Sequence, residues 1–315
     1  MGEFGESNVG YDSNMNALKS THLCLSGDSA RTLLGAAAGT TSIQEVSFDL
    51  NLSTTLVAID GDRFRVGERK GLLQPLRNLA KEDRKVFRAS GSPMAELVET
   101  WEPMSVFEGG YYQLVATAEA PTVEIDGVQM HITSGVGPFA AAGAFAATVV
   151  RPGDRVLDTC GGLGYTAIQA LLRGAVQVDS FELSAAMLQL RTLNPWSQWD
   201  CGGRLHLTHG DVFQATVSLR RGSYDVVLHD PPRQALAPDL YSDAFYLRLR
   251  DLLKPDGRLF HYTGDPRSRS RSTPLARSVL GRLGGLGFSG RVEEDVQGVV
   301  ASLGRVPWSR RGRRH

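Results

Sequence analysis

The residues that could most readily bind a ligand or do chemistry lie in the segment RVLDTCGGLGYTAIQA. In this segment an acidic residue is followed by several glycines. The apolar run that ends at Leu157 is typical of a buried strand, and apolar residues at helical spacing predict a helix over 165–172. Glycines let the backbone approach a ligand closely, and a helix N-terminus offers unpaired N–H donors. The candidate ligand-binding residues of this unit are Asp158, Cys160, Gly161, Gly162, Gly164 and Tyr165.

Acidic residues also end the strands that follow. Glu182 closes the next apolar strand, where a carboxylate can accept hydrogen bonds from both hydroxyls of a ribose. Asp211 follows a third strand, and Asp230 follows a fourth strand in the segment HDPPR. Because the carboxyl ends of parallel strands meet at one edge of a sheet, this order predicts a nucleoside site there. Leu183, Gly210 and Val212 are the neighbours expected to complete it.

The turn resembles the glycine-rich motif of class I S-adenosylmethionine (SAM) methyltransferases, with Cys160 where the first glycine usually lies. This resemblance implies that Glu182 binds the ribose, Asp211 binds the adenine and Asp230 contacts both cofactor and acceptor. In enzymes of this class that methylate amino or planar nitrogens, an aromatic residue follows the two prolines. Here Arg233 takes that place.

A longer resemblance runs from about residue 45 to residue 301. It links the chain to an uncharacterised family of predicted SAM-dependent methyltransferases best represented in archaea. The resemblance implies SAM as the cofactor and leaves the acceptor unassigned. The matching stretches are EVSFDLNLS, APTVEIDGVQMHI, VLDTCGGLGYTAI, LNPWS, HDPPR, LYSDAFY and LFHYTGDP.

Four residues are candidates for catalysis. Asp230, followed by rigid prolines, is placed to orient or deprotonate an acceptor nitrogen. His229 and Tyr262 lie at strand ends that should be neighbours, and a histidine with a near-neutral pKa is a natural general base. His131 ends the last strand before the α/β region, where it would reach the substrate if the β-rich region roofs the crevice. The alternative for the histidines is internal packing.

The order of elements predicts an α/β, Rossmann-like domain over 136–304, preceded by a smaller β-rich domain over 21–135. Asp-Gly pairs at 60–61 and 126–127 predict two hairpins. Residues 68–100 are charged and helix-prone in part, and apolar strands over 283–289 and 297–302 are expected to complete the sheet. Residues 1–20 are expected to be disordered or cloning-derived, and 305–315 form a basic tail.

The composition excludes several classes of protein. Lys plus Arg and Asp plus Glu both number 34, so no overall field favours nucleic acid or membrane. Three cysteines without metal-ligand spacing fit a reducing compartment and indicate no metal site. No apolar run has the length of a membrane helix. We therefore expect a cytoplasmic enzyme that acts on a small molecule, with a homodimer left open.

Other functions stay open from the sequence. The β-rich domain with an IDG hairpin and the segment LYSDAFY resemble aminopropyltransferases such as spermidine synthase, which use decarboxylated SAM. Those enzymes carry an Asp-x-x-Asp pair, and here Arg233 occupies the second position. RNA N-methylation is a further alternative, because the basic loop 265–273 and the tail could bind phosphates. The last alternative is a non-catalytic scaffold protein with the same fold.

Overall fold

The computed structural model describes residues 22–39, 43–92, 96–131, 133, 135–264 and 274–304. The expected N-terminal segment 1–20, the basic loop 265–273 and the tail 305–315 lie outside these residues. Among the helices of the described ranges, none is long and apolar enough to cross a membrane.

The described chain begins with a β-rich region. Its helices are α1 (Gly27–Ala38) and α2 (Leu76–Leu79). Its strands are β1 (Cys24–Ser26), β2 (Ile43–Val46), β3 (Thr55–Asp60), β4 (Arg63–Val66), β5 (Arg69–Leu72), β6 (Val86–Ala89), β7 (Leu97–Val98), β8 (Trp101–Pro103), β9 (Ser105–Phe107), β10 (Tyr111–Val115), β11 (Thr122–Ile125) and β12 (Val128–Gln129).

These strands form three small sheets, with orders β1-β6-β8, β2-β3-β4-β5-β7 and β12-β11-β10-β9. Both predicted hairpins are confirmed, because β3 pairs with β4 and β11 pairs with β12 in antiparallel register. Gly61 and Gly127 take the left-handed backbone conformation that these turns require. The segment 68–100, expected to be helix-prone in part, contains the short helix α2 between the strands β5 and β6. Strand β6 is buried at three of its four residues, and it pairs with β1 along one edge and with β8 along the other.

The second region alternates strands and helices. Its strands are β13 (Arg155–Asp158), β14 (Gln177–Glu182), β15 (Leu205–His209), β16 (Tyr224–His229), β17 (Leu253–Tyr262), β18 (Ser289–Glu293) and β19 (Gly298–Ser302). Its helices are α3 (Pro138–Val149), α4 (Tyr165–Leu172), α5 (Ala185–Leu193), α6 (Val212–Ala215), α7 (Asp243–Leu252) and α8 (Pro274–Gly285).

One seven-stranded sheet contains these strands in the order β15-β14-β13-β16-β17-β19-β18. The first five strands are parallel, and β19 runs antiparallel to both of its neighbours, β17 and β18. Alternate residues of each strand face opposite layers: Val226 packs with α3, α4 and α5, whereas Val227 packs with α6, α7 and α8. This architecture confirms the predicted Rossmann-like fold with a smaller β-rich region before it.

The end of the sheet differs from the sequence prediction. The strand expected over 283–289 is wrong, because α8 continues to Gly285 and β18 starts only at Ser289. Ala276, Val279 and Leu283 are buried at helical spacing, so they cover the sheet as one face of a helix.

A single apolar core joins the two regions. Leu114 and Val123 of the β-rich region belong to the same buried cluster as Phe145 of α3. Two hydrogen bonds cross the boundary: the Trp196 indole N–H donates to the Leu50 carbonyl, and the Tyr165 hydroxyl donates to the Pro121 carbonyl, each over 2.8 Å. The β-rich region is therefore fixed against the helices α3 to α5.

A buried ion pair at the base of the sheet gives a stability prediction. Arg258 Nη2 donates to Asp154 Oδ1 over 2.6 Å, and both side chains are at most a tenth exposed. Asp154→Ala leaves the Arg258 charge buried without its counter-ion, so we expect a loss of about 3–5 kcal/mol in the free energy of unfolding by urea. Glu293→Ala, which breaks the more exposed pair with Arg291, should cost about 1 kcal/mol or less. Equal losses in the two variants would contradict this assignment.

Candidate active site

The glycine turn between β13 and α4 has a conformation that side chains would disrupt. Gly162 and Gly164 have positive φ angles of 50° and 85°. A Cβ atom on Gly161 would lie 2.5 Å from the Ser180 hydroxyl oxygen, and one on Gly164 would lie 2.5 Å from Cζ of Arg191. The turn thus runs directly over side chains of β14 and α5. Gly162 alone faces open space, with no atom within 4 Å of a built Cβ.

Asp158 lies beneath this turn. Its carboxylate is fully buried, and Oδ2 accepts a hydrogen bond of 2.7 Å from the Ser180 hydroxyl. Burial raises the pKa of Asp158 to about 6, while that hydrogen bond and the Arg191 charge act in the opposite direction. We expected Asp158 to bind the cofactor directly. The structure places it below the turn and off the cavity wall, where it supports the turn.

A cavity of about 860 Å³ lies above the carboxyl ends of the parallel strands. Tyr112 and Gln129 of the β-rich region also line it, and we call this part of the wall the roof. The predicted residues on its wall are His131, Cys160, Gly161, Gly162, Tyr165, Glu182, Leu183, Gly210, Asp211, Val212, Asp230 and Tyr262. Asp158, Gly164 and His229 do not line the cavity.

Glu182 and Asp211 are held in place by backbone hydrogen bonds. Glu182 Oε2 accepts from the Gly162 N–H and Oε1 from the Ser184 N–H, each over 2.8 Å. Asp211 caps α6 by accepting from the Phe213 N–H over 2.8 Å. A carboxylate has about four lone-pair sites, so both side chains retain acceptor capacity towards the cavity.

Asp230 has a different environment. It is half-buried on the cavity wall, and within the described residues its carboxylate makes no hydrogen bond. Burial raises its pKa to about 7, and the negative charge of Asp158 contributes to the increase. A carboxyl group with this pKa can take or release a proton near neutral pH.

His229 has both ring nitrogens engaged away from the cavity. Nε2 donates to the Leu240 carbonyl over 3.1 Å, and Nδ1 accepts from the Thr159 hydroxyl over 2.7 Å. Burial lowers its pKa to about 3, so the ring is neutral. We expected a general base here. Its two hydrogen bonds instead link the start of the glycine turn to the loop after β16.

His261 of β17 is the residue paired with His229 of β16, and the two ring centroids are 4.4 Å apart. Its Nδ1 donates to the Tyr262 carbonyl, and its Nε2 accepts from the Tyr246 hydroxyl. Both histidines are therefore satisfied core residues. Tyr262 itself lies on the cavity wall with its ring 5.3 Å from that of Phe145.

His131 lies on the roof side of the cavity wall. Its Nδ1 is 3.0 Å from the Thr122 hydroxyl, and its ring is 5.6 Å from the Tyr165 ring. Burial lowers its pKa to about 4, which leaves it neutral at physiological pH. A neutral imidazole at the wall can donate or accept a hydrogen bond towards a ligand.

Some wall residues carried no signal in the sequence. Glu108 follows a short roof strand, and Asp239 and Tyr241 lie in the loop after the Asp230 motif. The Tyr241 hydroxyl donates to the Pro232 carbonyl over 3.0 Å and so braces that motif. Tyr241 was visible only as part of LYSDAFY, and Glu108 has no local pattern that marks it.

The raised pKa of Asp230 gives a testable effect on stability. The folded carboxyl has a pKa of about 7 against 3.8 for an ordinary aspartate. The protonated Asp230 carboxyl thus contributes to the free energy of unfolding at low pH, and this contribution is lost as the pH rises through about 7. Asp230→Asn should raise Tm at pH 8.5, with a gain that shrinks towards zero at pH 4. Exposed Glu68→Gln is the control; an equal, pH-independent gain in both variants would refute the assignment.

Comparison with known proteins places the chain among relatives. No family model matches it. Polyamine aminopropyltransferase 2 of Streptomyces coelicolor is 34% identical over 131 residues, which is 38% of this chain and 23% of that protein. A spermidine synthase, solved in complex with the transition state analogue AdoDATO, has a TM-score of 0.54 at 16% identity, covering 65% of this chain and 74% of its own. That likeness shows a shared fold.

The uncharacterized protein MJ1233 of Methanocaldococcus jannaschii matches more extensively. It is 43% identical over 200 residues, which cover 62% of this chain and 68% of that protein. The similarity thus extends over about two thirds of each chain. On this evidence the chain belongs to the same family as the uncharacterized protein MJ1233.

Proposed function

We propose that this protein is a SAM-dependent methyltransferase that acts on the amine nitrogen of a small molecule. The order of groups along the cavity carries the proposal. Asp211, Glu182, the glycine turn and Asp230 follow strands β15, β14, β13 and β16, which are consecutive neighbours in the sheet. This order presents acceptors for a nucleoside at one end and a proton acceptor at the other.

The residues present fit such a donor. Glu182 has acceptor capacity for the two ribose hydroxyls, and Asp211 is placed one strand further out for the adenine amino group. Gly162 leaves space that a side chain would fill, so a ligand can approach the turn closely. The volume of about 860 Å³ lies within the range of small-molecule sites. SAM, when bound, supplies a methyl group already activated as a sulfonium.

Asp230 supplies the chemistry that an amine acceptor needs. At physiological pH an amine is present mainly as an ammonium ion, whose nitrogen has no lone pair to attack the methyl group. A carboxyl group with a pKa of about 7 can hold the ammonium by hydrogen bonding and accept its proton. The rigid Pro231-Pro232 pair fixes the backbone next to Asp230, so the acceptor is oriented as well as deprotonated.

The charge of the wall supports a cationic acceptor. Within the described residues five carboxylates line the cavity, namely Glu108, Glu182, Asp211, Asp230 and Asp239. A wall of this sign attracts amines and repels phosphate groups. The roof also encloses the space over the sheet, which favours a small molecule over RNA.

Aminopropyl transfer is the second candidate, because the 131-residue match to an aminopropyltransferase supports it. In the chain's loop after β16, however, the position three residues after Asp230 is Arg233. Asp230 could hold one ammonium group of a polyamine acceptor, but a guanidinium at position 233 would repel a second one. Methyl transfer therefore remains the proposal.

Donor binding tests the role of Glu182. Glu182→Ala removes charge-assisted hydrogen bonds to the ribose, and we expect the Kd for SAM measured by calorimetry to rise about 100-fold. Because Gly162 and Ser184 also lose their acceptor, the variant must first be shown to keep its circular dichroism spectrum. Wild-type protein that binds no SAM at high micromolar concentration would rule out the proposed function.

Turnover tests the roof. His131→Ala should bind SAM with an unchanged Kd, because the proposed donor contacts lie on the sheet side of the cavity. Methyl transfer from radiolabelled SAM to a panel of small amines should fall at least tenfold. Normal turnover in this variant would show that His131 only packs against Tyr165.

A further inference from the structure

The charges on the cavity wall are unbalanced in a way that bears on the donor. Five acidic residues line the cavity, and Arg233 is the one lysine or arginine that the described residues place there. SAM carries a carboxylate of its own, whereas decarboxylated SAM does not. A carboxylate brought into an acidic, partly desolvated cavity is unfavourable without a cation beside it. We propose that Arg233 binds the carboxylate of the donor and so selects SAM over decarboxylated SAM, an inference that rests on the proposed function.

The order of the strands places Arg233 on the correct side of the donor. Glu182, which ends β14, and Asp211, which follows β15, would bind the nucleoside. The rest of the donor must then extend across the glycine turn towards β16. Strands β14 and β16 are two positions apart in the sheet, or roughly 10 Å. Arg233 follows β16 by four residues, so it meets the end of the donor opposite the adenine.

The backbone around Arg233 is fixed. Its carbonyl accepts hydrogen bonds from the N–H groups of Leu236 and Ala237, over 2.8 Å and 3.2 Å. The Tyr241 hydroxyl braces the Pro232 carbonyl. His229 holds the Leu240 carbonyl at the far end of the same loop. A half-buried arginine on a braced loop loses little further freedom on binding an anion.

The guanidinium chemistry suits the ligand. Its planar fork matches a carboxylate with two parallel hydrogen bonds, and its five N–H donors can serve a protein partner and a ligand together. Decarboxylated SAM offers only an ammonium group at the corresponding end. Arg233 would repel that group, so the same side chain favours one donor and disfavours the other.

The experiment compares three adenosine ligands by calorimetry. SAM carries the carboxylate, decarboxylated SAM lacks it, and 5′-methylthioadenosine lacks the whole amino-acid chain. Wild-type protein should bind SAM at least tenfold more tightly than decarboxylated SAM. Arg233→Gln should weaken SAM binding by 10- to 100-fold, remove the preference and leave the Kd for 5′-methylthioadenosine unchanged. Arg233→Lys should retain part of the preference, and exposed Arg220→Gln should behave as wild type.

The outcomes separate this inference from the proposed function. If Arg233→Gln binds SAM as tightly as wild type, Arg233 does not read the carboxylate and only this inference is overturned. A wild-type preference for decarboxylated SAM would also overturn it. If the wild type binds none of the three ligands, the nucleoside site itself is refuted and both proposals fall.

Discussion

Two opposite charges buried beneath the glycine turn support the whole site. Asp158 is fully buried and Arg191 is 6% exposed, and each opposes the shift that burial causes in the pKa of the other. Charges removed from water are costly, and the opposite charge nearby offsets part of that cost for each group. The Arg191 side chain lies so close to Gly164 that no Cβ fits between them. The shape of the turn is therefore fixed from below, before any ligand approaches.

Hydrogen bonds extend this support to the neighbouring strand ends. The Gly162 N–H orients Glu182 of β14, while the Thr159 hydroxyl binds His229 of β16. His229 in turn holds the loop that carries the Asp230 motif, through the Leu240 carbonyl. Three strand ends thus share one network. Backbone N–H groups of the wall itself orient Glu182, and His229, which lies off the wall, holds the loop that carries Asp230, so the site is preorganised.

The sequence was informative where structure depends on local pattern. Asp-Gly pairs identified two hairpins, and the strand, turn and helix around Gly162 could be predicted because each signal lies within a few residues. The strand expected over 283–289 was wrong because a short apolar run fits a helix equally well until Val279 and Leu283 are seen to share one buried face. Tertiary burial was invisible in the sequence. It placed Asp158 under the turn, and His229 is a satisfied core residue although it ends a strand. Glu108 lines the cavity from beside a strand of a separate sheet, so no local pattern could mark it.

The shared core has a consequence for how the chain acquires its fold. Cys24 and Leu50, near the start of the described chain, belong to the same buried cluster as Val300 of the last strand. Contacts of such high sequence separation form late, because closing the long intervening loop costs entropy before the contacts compensate for it. During synthesis the β-rich region therefore exposes part of its apolar surface until the C-terminal strands have emerged. That interval is when the nascent chain is most prone to aggregation and to capture by chaperones.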